Sequence, residues 1–130
     1  MARIVQKFGG TSVADLAQIR NAAERVKSSV NSGHEVAVVV SAMAGTTNQL
    51  ANWTREISAI HDAREYDVVL SAGEQITVGL MAVALQNIGI DARSWLGWQI
   101  PLSTDDVHGR ARITEVQTEE IVRRFKLGQG

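Results

Sequence analysis

Cysteine is absent from the 130-residue sequence, and this absence removes two kinds of site. Neither a disulfide nor a thiolate metal site can form, which is compatible with a reducing cytosol. Histidine is scarce as well, and the three histidines lie too far apart in the sequence to show metal-ligand spacing. We therefore expect no metal to be bound by the protein's own side chains.

The sequence also lacks a large excess of charge of one sign and lacks long apolar segments. The 13 basic and 14 acidic residues are interspersed and leave a net charge of −1, so nucleic-acid binding is not expected. No secretory signal is expected in residues 1–15, because Lys7 interrupts the only apolar stretch there. No segment approaches roughly 18 apolar residues without a charge, so no membrane span is expected. The default prediction is a soluble, cytoplasmic protein.

The first 40 residues predict a strand, a turn, a helix and a second strand. Residues 2–8 read as a strand that ends at Gly9-Gly10. Ser12 with Asp15 three residues later resembles a capping box that opens a helix. Residues 36–40 form a β-branched run broken only by one alanine, which is typical of a strand buried on both faces of a parallel sheet.

The remaining pattern continues the alternation of helices and strands. The predicted elements are a helix over residues 49–60, a long helical region over 68–88 interrupted near 71–73, strands at 92–96 and 111–116, and a last helix over 118–127. This pattern predicts an α/β fold, a three-layer αβα arrangement with a mostly parallel sheet, over the whole of residues 1–130. The chain stops after a helix, so the sheet is expected to be incomplete at its C-terminal end.

Lys7 and the Gly9-Gly10 turn suit a phosphate. Glycines let the backbone approach an anion closely, and a turn that opens a helix aims several N–H groups in one direction. The Lys7 ammonium would add a positive charge at the same place. A tight strand-to-helix turn with a solvated lysine explains the spacing equally well.

Two further segments have polar groups where a ligand could bind. Residues 41–48 follow the second strand, and ligands of open α/β sheets bind at the carboxyl ends of strands. The alternative is an ordinary polar loop whose Ser or Thr caps the next helix. Gly73 and Glu74 interrupt an apolar helical stretch, and a glycine costs about 1 kcal/mol inside a helix. Glu74 is either a cleft carboxylate for a cationic ligand group or a surface residue near a helix start.

Taken together, these segments resemble the aspartate kinases of the amino acid kinase superfamily. The order and spacing agree over essentially all 130 residues. The pattern Lys-x-Gly-Gly alone would also admit acetylglutamate, carbamate, glutamate and uridylate kinases. The matching segments are Val5-Gln6-Lys7-Phe8-Gly9-Gly10-Thr11-Ser12-Val13, Val39-Val40-Ser41-Ala42-Met43-Ala44-Gly45-Thr46-Thr47-Asn48, Ser71-Ala72-Gly73-Glu74 and His108-Gly109-Arg110-Ala111-Arg112-Ile113.

The resemblance implies ATP-dependent phosphorylation of the L-aspartate β-carboxylate, with Mg²⁺ accompanying ATP. Lys7 would be the catalytic residue that offsets charge on the transferring phosphoryl group. The segment from Phe8 to Gly10, with Ser12 and Ser41, would bind the phosphates. Thr47 would contact aspartate and Glu74 would accept its ammonium group, since a buried carboxylate is costly unless it meets a cation.

The resemblance also implies that important parts lie beyond this chain. In the family, the nucleotide-binding half, a second lysine, an α-carboxylate-binding arginine and the regulatory ACT domains come later. The full-length protein is expected to be a homo-oligomer, and this chain alone is expected to be inactive. Another acylphosphate-forming amino acid kinase and a non-catalytic binding or assembly module remain alternatives.

Overall fold

A parallel strand pair forms the centre of the fold. In the computed structural model, which describes residues 1–130, strand β1 (Arg3–Phe8) pairs in parallel with strand β2 (Glu35–Val40). The first residues of the two strands pair with each other, and so do the last. Helix α1 (Leu16–Asn31) makes the crossover between them, which confirms the predicted strand–helix–strand unit.

Three more helices and a hairpin follow. The helices are α2 (Thr46–Ile57), α3 (Ala63–Asn87) and α4 (Glu119–Lys126). Strands β3 (Leu102–Thr104) and β4 (Ile113–Val116) pair with each other in antiparallel orientation, as a separate sheet. The predicted strand at 111–116 therefore exists, but it does not extend the parallel sheet. Helix α2 begins three residues earlier than predicted.

The start of α1 differs from the predicted capping box. Asp15 itself is the N-cap, and its carboxylate accepts a hydrogen bond from the Gln18 backbone N–H at 2.9 Å. Ser12 lies before the helix, in a short 3₁₀ turn over Gly10–Val13. The capping signature was therefore displaced by three residues, because the 3₁₀ turn occupies the space between strand and helix.

One face of the sheet packs against α1 and α3 to form the core. The fully buried side chains Val13, Ile19 and Val36 belong to the turn, α1 and β2 respectively. The whole cluster consists of Phe8, Val13, Ile19, Ala22, Ala23, Val26, Val36, Met81, Leu85, Ile90 and Ala92. Burial of this continuous apolar surface is what holds the strand–helix–strand unit together.

The opposite face of the sheet is only partly covered. Val39 is 47% exposed, so the prediction that β2 is buried on both faces is wrong for this chain. Arg3 on this face forms an ion pair with Glu35 at 2.7 Å and lies over the Phe125 ring of α4. Helix α4 thus reaches the face that α1 and α3 leave open and covers part of it, so the third layer is present but incomplete.

Helix α3 is a single helix of 25 residues, without the interruption predicted near residues 71–73. By length and composition it could cross a membrane, with a mean hydropathy of 1.7 over its most apolar 18-residue window. One such helix is weak evidence for a membrane span, because core helices of soluble proteins pass the same test. Here α3 contacts both α1 and α2, with Met81 and Leu85 in the core.

Residues 92–96 do not form the predicted strand, because almost nothing pairs with them. Only Gly130 does: its N–H donates to the Asp91 carbonyl at 2.9 Å, and its carbonyl accepts from the Arg93 N–H at 3.2 Å. These two bonds have the pattern of a parallel strand pair. Between this segment and the free edge of β2 lies an apolar groove of about 680 Å³, into which Gly130 projects.

Candidate functional site

The glycine turn after β1 is anchored by a backbone hydrogen bond and by a buried side chain. Gly9 is extended and Gly10 begins the 3₁₀ turn, in which the Ser12 N–H donates to the Gly9 carbonyl at 3.0 Å. The turn ends at Val13, whose side chain is completely buried. Gly9 and Ser12 remain accessible to solvent. The turn is therefore anchored in the core at Val13 and open to solvent at Gly9 and Ser12.

The loop after β2 lies directly beside this turn. The Ser41 N–H donates to the Phe8 carbonyl at 3.1 Å, which continues the strand ladder by one residue. Gly45 then adopts a left-handed conformation with φ of 78° and begins α2 without a side-chain cap. The alternative of a loop whose Ser or Thr caps the helix is therefore wrong. Thr47 lies in the exposed first turn of α2.

Ala42 connects three of the sequence segments. A Cβ placed on Gly10 would lie 3.4 Å from the Ala42 carbonyl oxygen. A Cβ placed on Gly73 would lie 2.9 Å from the Ala42 Cβ, closer than carbon atoms normally approach. Ala42 is only 5% exposed. The glycine turn, the second loop and α3 therefore meet at one small buried residue, Ala42.

This contact explains the glycine in the middle of α3. Gly73 is buried, and Thr46 and Leu50 of α2 also lie within 3.6 Å of the position where its Cβ would be. Gly73 lowers the helix propensity of α3, but any larger residue at this position would push α3 away from α2 and the loop. The close approach fixes the position of this part of α3, and with it the backbone of the next residue, Glu74, relative to the loop.

The two charged candidates are free of protein partners. Neither Lys7 nor Glu74 takes part in any ion pair or side-chain hydrogen bond in the structure. Both side chains are exposed, so the argument that Glu74 is a buried carboxylate is wrong for this chain. Two unpaired charges of opposite sign suit a ligand that carries both an anionic and a cationic group.

Glu74 and Ser71 line one end of the apolar groove beside β2. The last residues of β2, Val38 to Val40, line it from the sheet side. Lys7 pairs in register with Val39 at the same end of the sheet. The carboxyl ends of both strands therefore meet the Glu74 side of α3, which is where ligands bind in open α/β sheets.

The structure thus brings the predicted site residues to one end of the sheet, but only some of their segments are in contact. Contacts at or beside Ala42 join the segments that carry Phe8, Gly10, Ser41 and Glu74. Lys7 and Glu74 do not contact each other. Sequence reasoning missed Ala42, whose only signal was its position in a loop of small residues. No group of three His, Asp or Glu side chains gathers anywhere to hold a metal.

A glycine turn and a small-residue loop thus lie at the carboxyl ends of two parallel strands in an α/β domain, with the unpaired charges of Lys7 and Glu74 near that end of the sheet. The profile of the Amino acid kinase family matches residues 2–129. The chain therefore belongs to the amino acid kinase family. Its three-layer α/β arrangement agrees with that membership.

Individual relatives are more specific. Aspartokinase 2 of Bacillus subtilis (strain 168) is 44% identical over 129 residues, which are 99% of this chain and 32% of that protein. The aspartokinase of Geobacillus stearothermophilus is 46% identical over 98% of this chain and 31% of its own length. A crystal structure of aspartate kinase from Synechocystis superposes with a TM-score of 0.85 at 34% identity, over 99% of this chain and 21% of that one. The chain spans about a third of the length of the curated relatives it matches.

Proposed function

We propose that this chain is the amino-acid-substrate side of an aspartate kinase, which transfers a phosphoryl group from ATP to the β-carboxylate of L-aspartate. The observation that carries the proposal is the meeting of three segments at Ala42, which brings the glycine turn close to α3 one residue before Glu74. The likeness to aspartokinases over 99% of the chain supports it.

The proposed roles follow from the chemistry of the reaction. The acceptor carboxylate is already an anion, so the protein needs no nucleophile and must instead bring two anions together. Lys7 would offset the charge that develops on the phosphoryl group. Backbone N–H groups at Gly9 and Gly10, with Ser12 and Ser41, would hold the phosphates. Thr47 would contact aspartate.

Glu74 would receive the substrate ammonium. Its carboxylate has no protein cation to pair with, so a bound amino group would be its first partner. Because the apo chain leaves Glu74 exposed, the energetic cost of leaving it unpaired arises only once substrate and the rest of the protein cover it. An analogue without the amino group should then bind more weakly.

The rest of the machinery belongs to the remainder of the protein in this proposal. Residues 1–130 are the N-terminal part of the kinase domain, and the nucleotide-binding half and ACT regulatory domains follow. No group of three His, Asp or Glu side chains gathers here to hold Mg²⁺ without a ligand, so in this proposal the ion would arrive with ATP. The full-length protein would be a cytoplasmic homo-oligomer in lysine, threonine and methionine biosynthesis.

The test is phosphoryl transfer by the full-length protein that carries this chain. We expect aspartyl phosphate, trapped as its hydroxamate, in the presence of MgATP and L-aspartate. Lys7→Ala should lower kcat at least about 100-fold, because a fixed electrostatic contact to the transition state is lost. Lys126→Ala, at an exposed site on α4, is the control. No aspartate-dependent product from the wild-type protein would refute the proposal.

Another acylphosphate-forming kinase is the second candidate, since the family match alone does not select the substrate. Aspartate, glutamate and acetylglutamate are therefore compared in the same assay, and preference for either of the others would favour this candidate. The alternative of a non-catalytic binding or assembly module applies only to residues 1–130 by themselves. Purified residues 1–130 are expected to hydrolyse no ATP and phosphorylate no aspartate, and detectable activity would contradict it.

A further inference from the structure

The contact of Ala42 with Gly10 and Gly73 has a consequence for substrate length. We propose that Ala42 and Gly73 are positioning residues which set the distance between the phosphate-binding turn and Glu74, and that this distance selects aspartate over glutamate. The inference rests on the proposed function, because it assigns the two ends of the substrate to those two places. Neither residue needs to touch the substrate.

The contact is rigid enough to act as a spacer. Ala42 is 5% exposed, and the atoms that meet there are a backbone oxygen and a Cβ, which cannot move independently of the main chain. On one side the spacer rests against the turn that ends at the fully buried Val13. On the other it rests against α3 one residue before Glu74. A shift of α3 relative to the loop must therefore move Glu74 relative to the turn.

The size of a perturbation at Gly73 can be compared with the size of the substrate difference. Glutamate is longer than aspartate by one methylene, a carbon–carbon bond of about 1.5 Å. An alanine at position 73 would place its Cβ 2.9 Å from the Ala42 Cβ. Relaxation to an ordinary carbon–carbon contact of about 3.5–4.0 Å displaces α3 by roughly 0.6–1.1 Å. This is a large part of one methylene, and it moves α3 away from the loop that holds Ala42.

The test is the ratio of kcat/KM for aspartate to kcat/KM for glutamate in the full-length protein. One methylene in a fitted pocket is discriminated by about 10- to 200-fold. Gly73→Ala is expected to lower the ratio about tenfold, mainly by loss of aspartate use. Gly79→Ala is the matched control on the same helix, because nothing lies within 4 Å of its Cβ position. Its ratio should equal that of the wild type.

Second-site rescue separates positioning from general damage. In Gly73→Ala with Ala42→Gly the opposing Cβ is removed, so the ratio should return to within about threefold of the wild type. Ala42→Gly alone introduces no clash but removes the Cβ that holds α3 at a fixed distance from the loop, so it should lower the ratio about threefold. This variant keeps the test valid if Gly73→Ala misfolds. Single variants that leave the ratio unchanged, or a double variant that fails to restore it, would overturn the inference. A wild-type protein that phosphorylates no aspartate would instead overturn the proposed function.

Discussion

Two glycines in one helix should respond to alanine with opposite signs. In α3, Gly79 has open space around its Cβ position, whereas the Cβ position of Gly73 lies 2.9 Å from the Ala42 Cβ. Gly79→Ala is expected to stabilise the chain by about 0.5–1 kcal/mol, because alanine restricts the unfolded chain and favours the helix. Gly73→Ala gains the same propensity but overpacks a buried contact, which costs about 1–3 kcal/mol.

The net expectation for Gly73→Ala is a loss of about 0–2 kcal/mol in the free energy of unfolding. The Ala42 Cβ is attached to a buried backbone, and Thr46 and Leu50 close the other sides, so the neighbours can move only together. Urea denaturation of the purified 130-residue chain, followed by helical circular dichroism, gives the midpoints of both variants and the wild type.

A double-mutant cycle with Ala42→Gly identifies the cause. If the two Cβ atoms clash, the cost of Gly73→Ala should largely disappear in the Ala42→Gly background, because residues in contact are not additive. The reasoning is refuted if Gly73→Ala is as stable as Gly79→Ala. It is also refuted if the destabilisation is the same in both backgrounds.

Two further predictions concern the base of the site and the last helix. Val13→Ala should lower the free energy of unfolding by about 2–3 kcal/mol, because it removes two methyl groups from a fully buried position and leaves a cavity; an unchanged urea midpoint would contradict this. Hydrogen bonds from Arg123 and Arg124 lower the pKa of the Glu120 carboxyl from 4.5 to about 2. Because the folded-state pKa is depressed, this stabilisation should be complete above about pH 4.5 and disappear as the pH falls towards 2. Glu120→Gln should flatten that part of the pH profile of unfolding, and an identical profile would count against the ion pairs.

The helices, strands and turns around the site could be predicted from the sequence because they depend mainly on the residues of their own segments. The strand predicted at residues 2–8 became β1 and the β-branched run at 36–40 became β2, and glycines with positive φ, Gly33 and Gly89, lie just past the ends of α1 and α3. Lys7 and Glu74 were singled out because charged residues beside glycines at strand ends and in apolar helices require an explanation. The family resemblance was readable for the same reason, since its segments are contiguous.

Elements that depend on a partner were not readable from local pattern. Residues 92–96 have the composition of a strand, but a strand exists only when another backbone pairs with it, and here only Gly130 does. In the same way, β2 has the composition of a strand buried on both faces, yet one of its faces is only partly covered. Composition predicts what a segment can become, and neighbouring segments decide whether it does.

The sequence by itself therefore determined the α/β class, the glycine turn, the second loop and the two charged residues, Lys7 and Glu74, that make this chain recognisable as an amino acid kinase. Only the tertiary structure decided why Gly73 is a glycine and what Ala42 does. The physical reason is that the cost of a side chain in a packed interior depends on the atoms that face it. The atoms that face position 73 come from Ala42, Thr46 and Leu50, which lie 31, 27 and 23 positions away in the sequence.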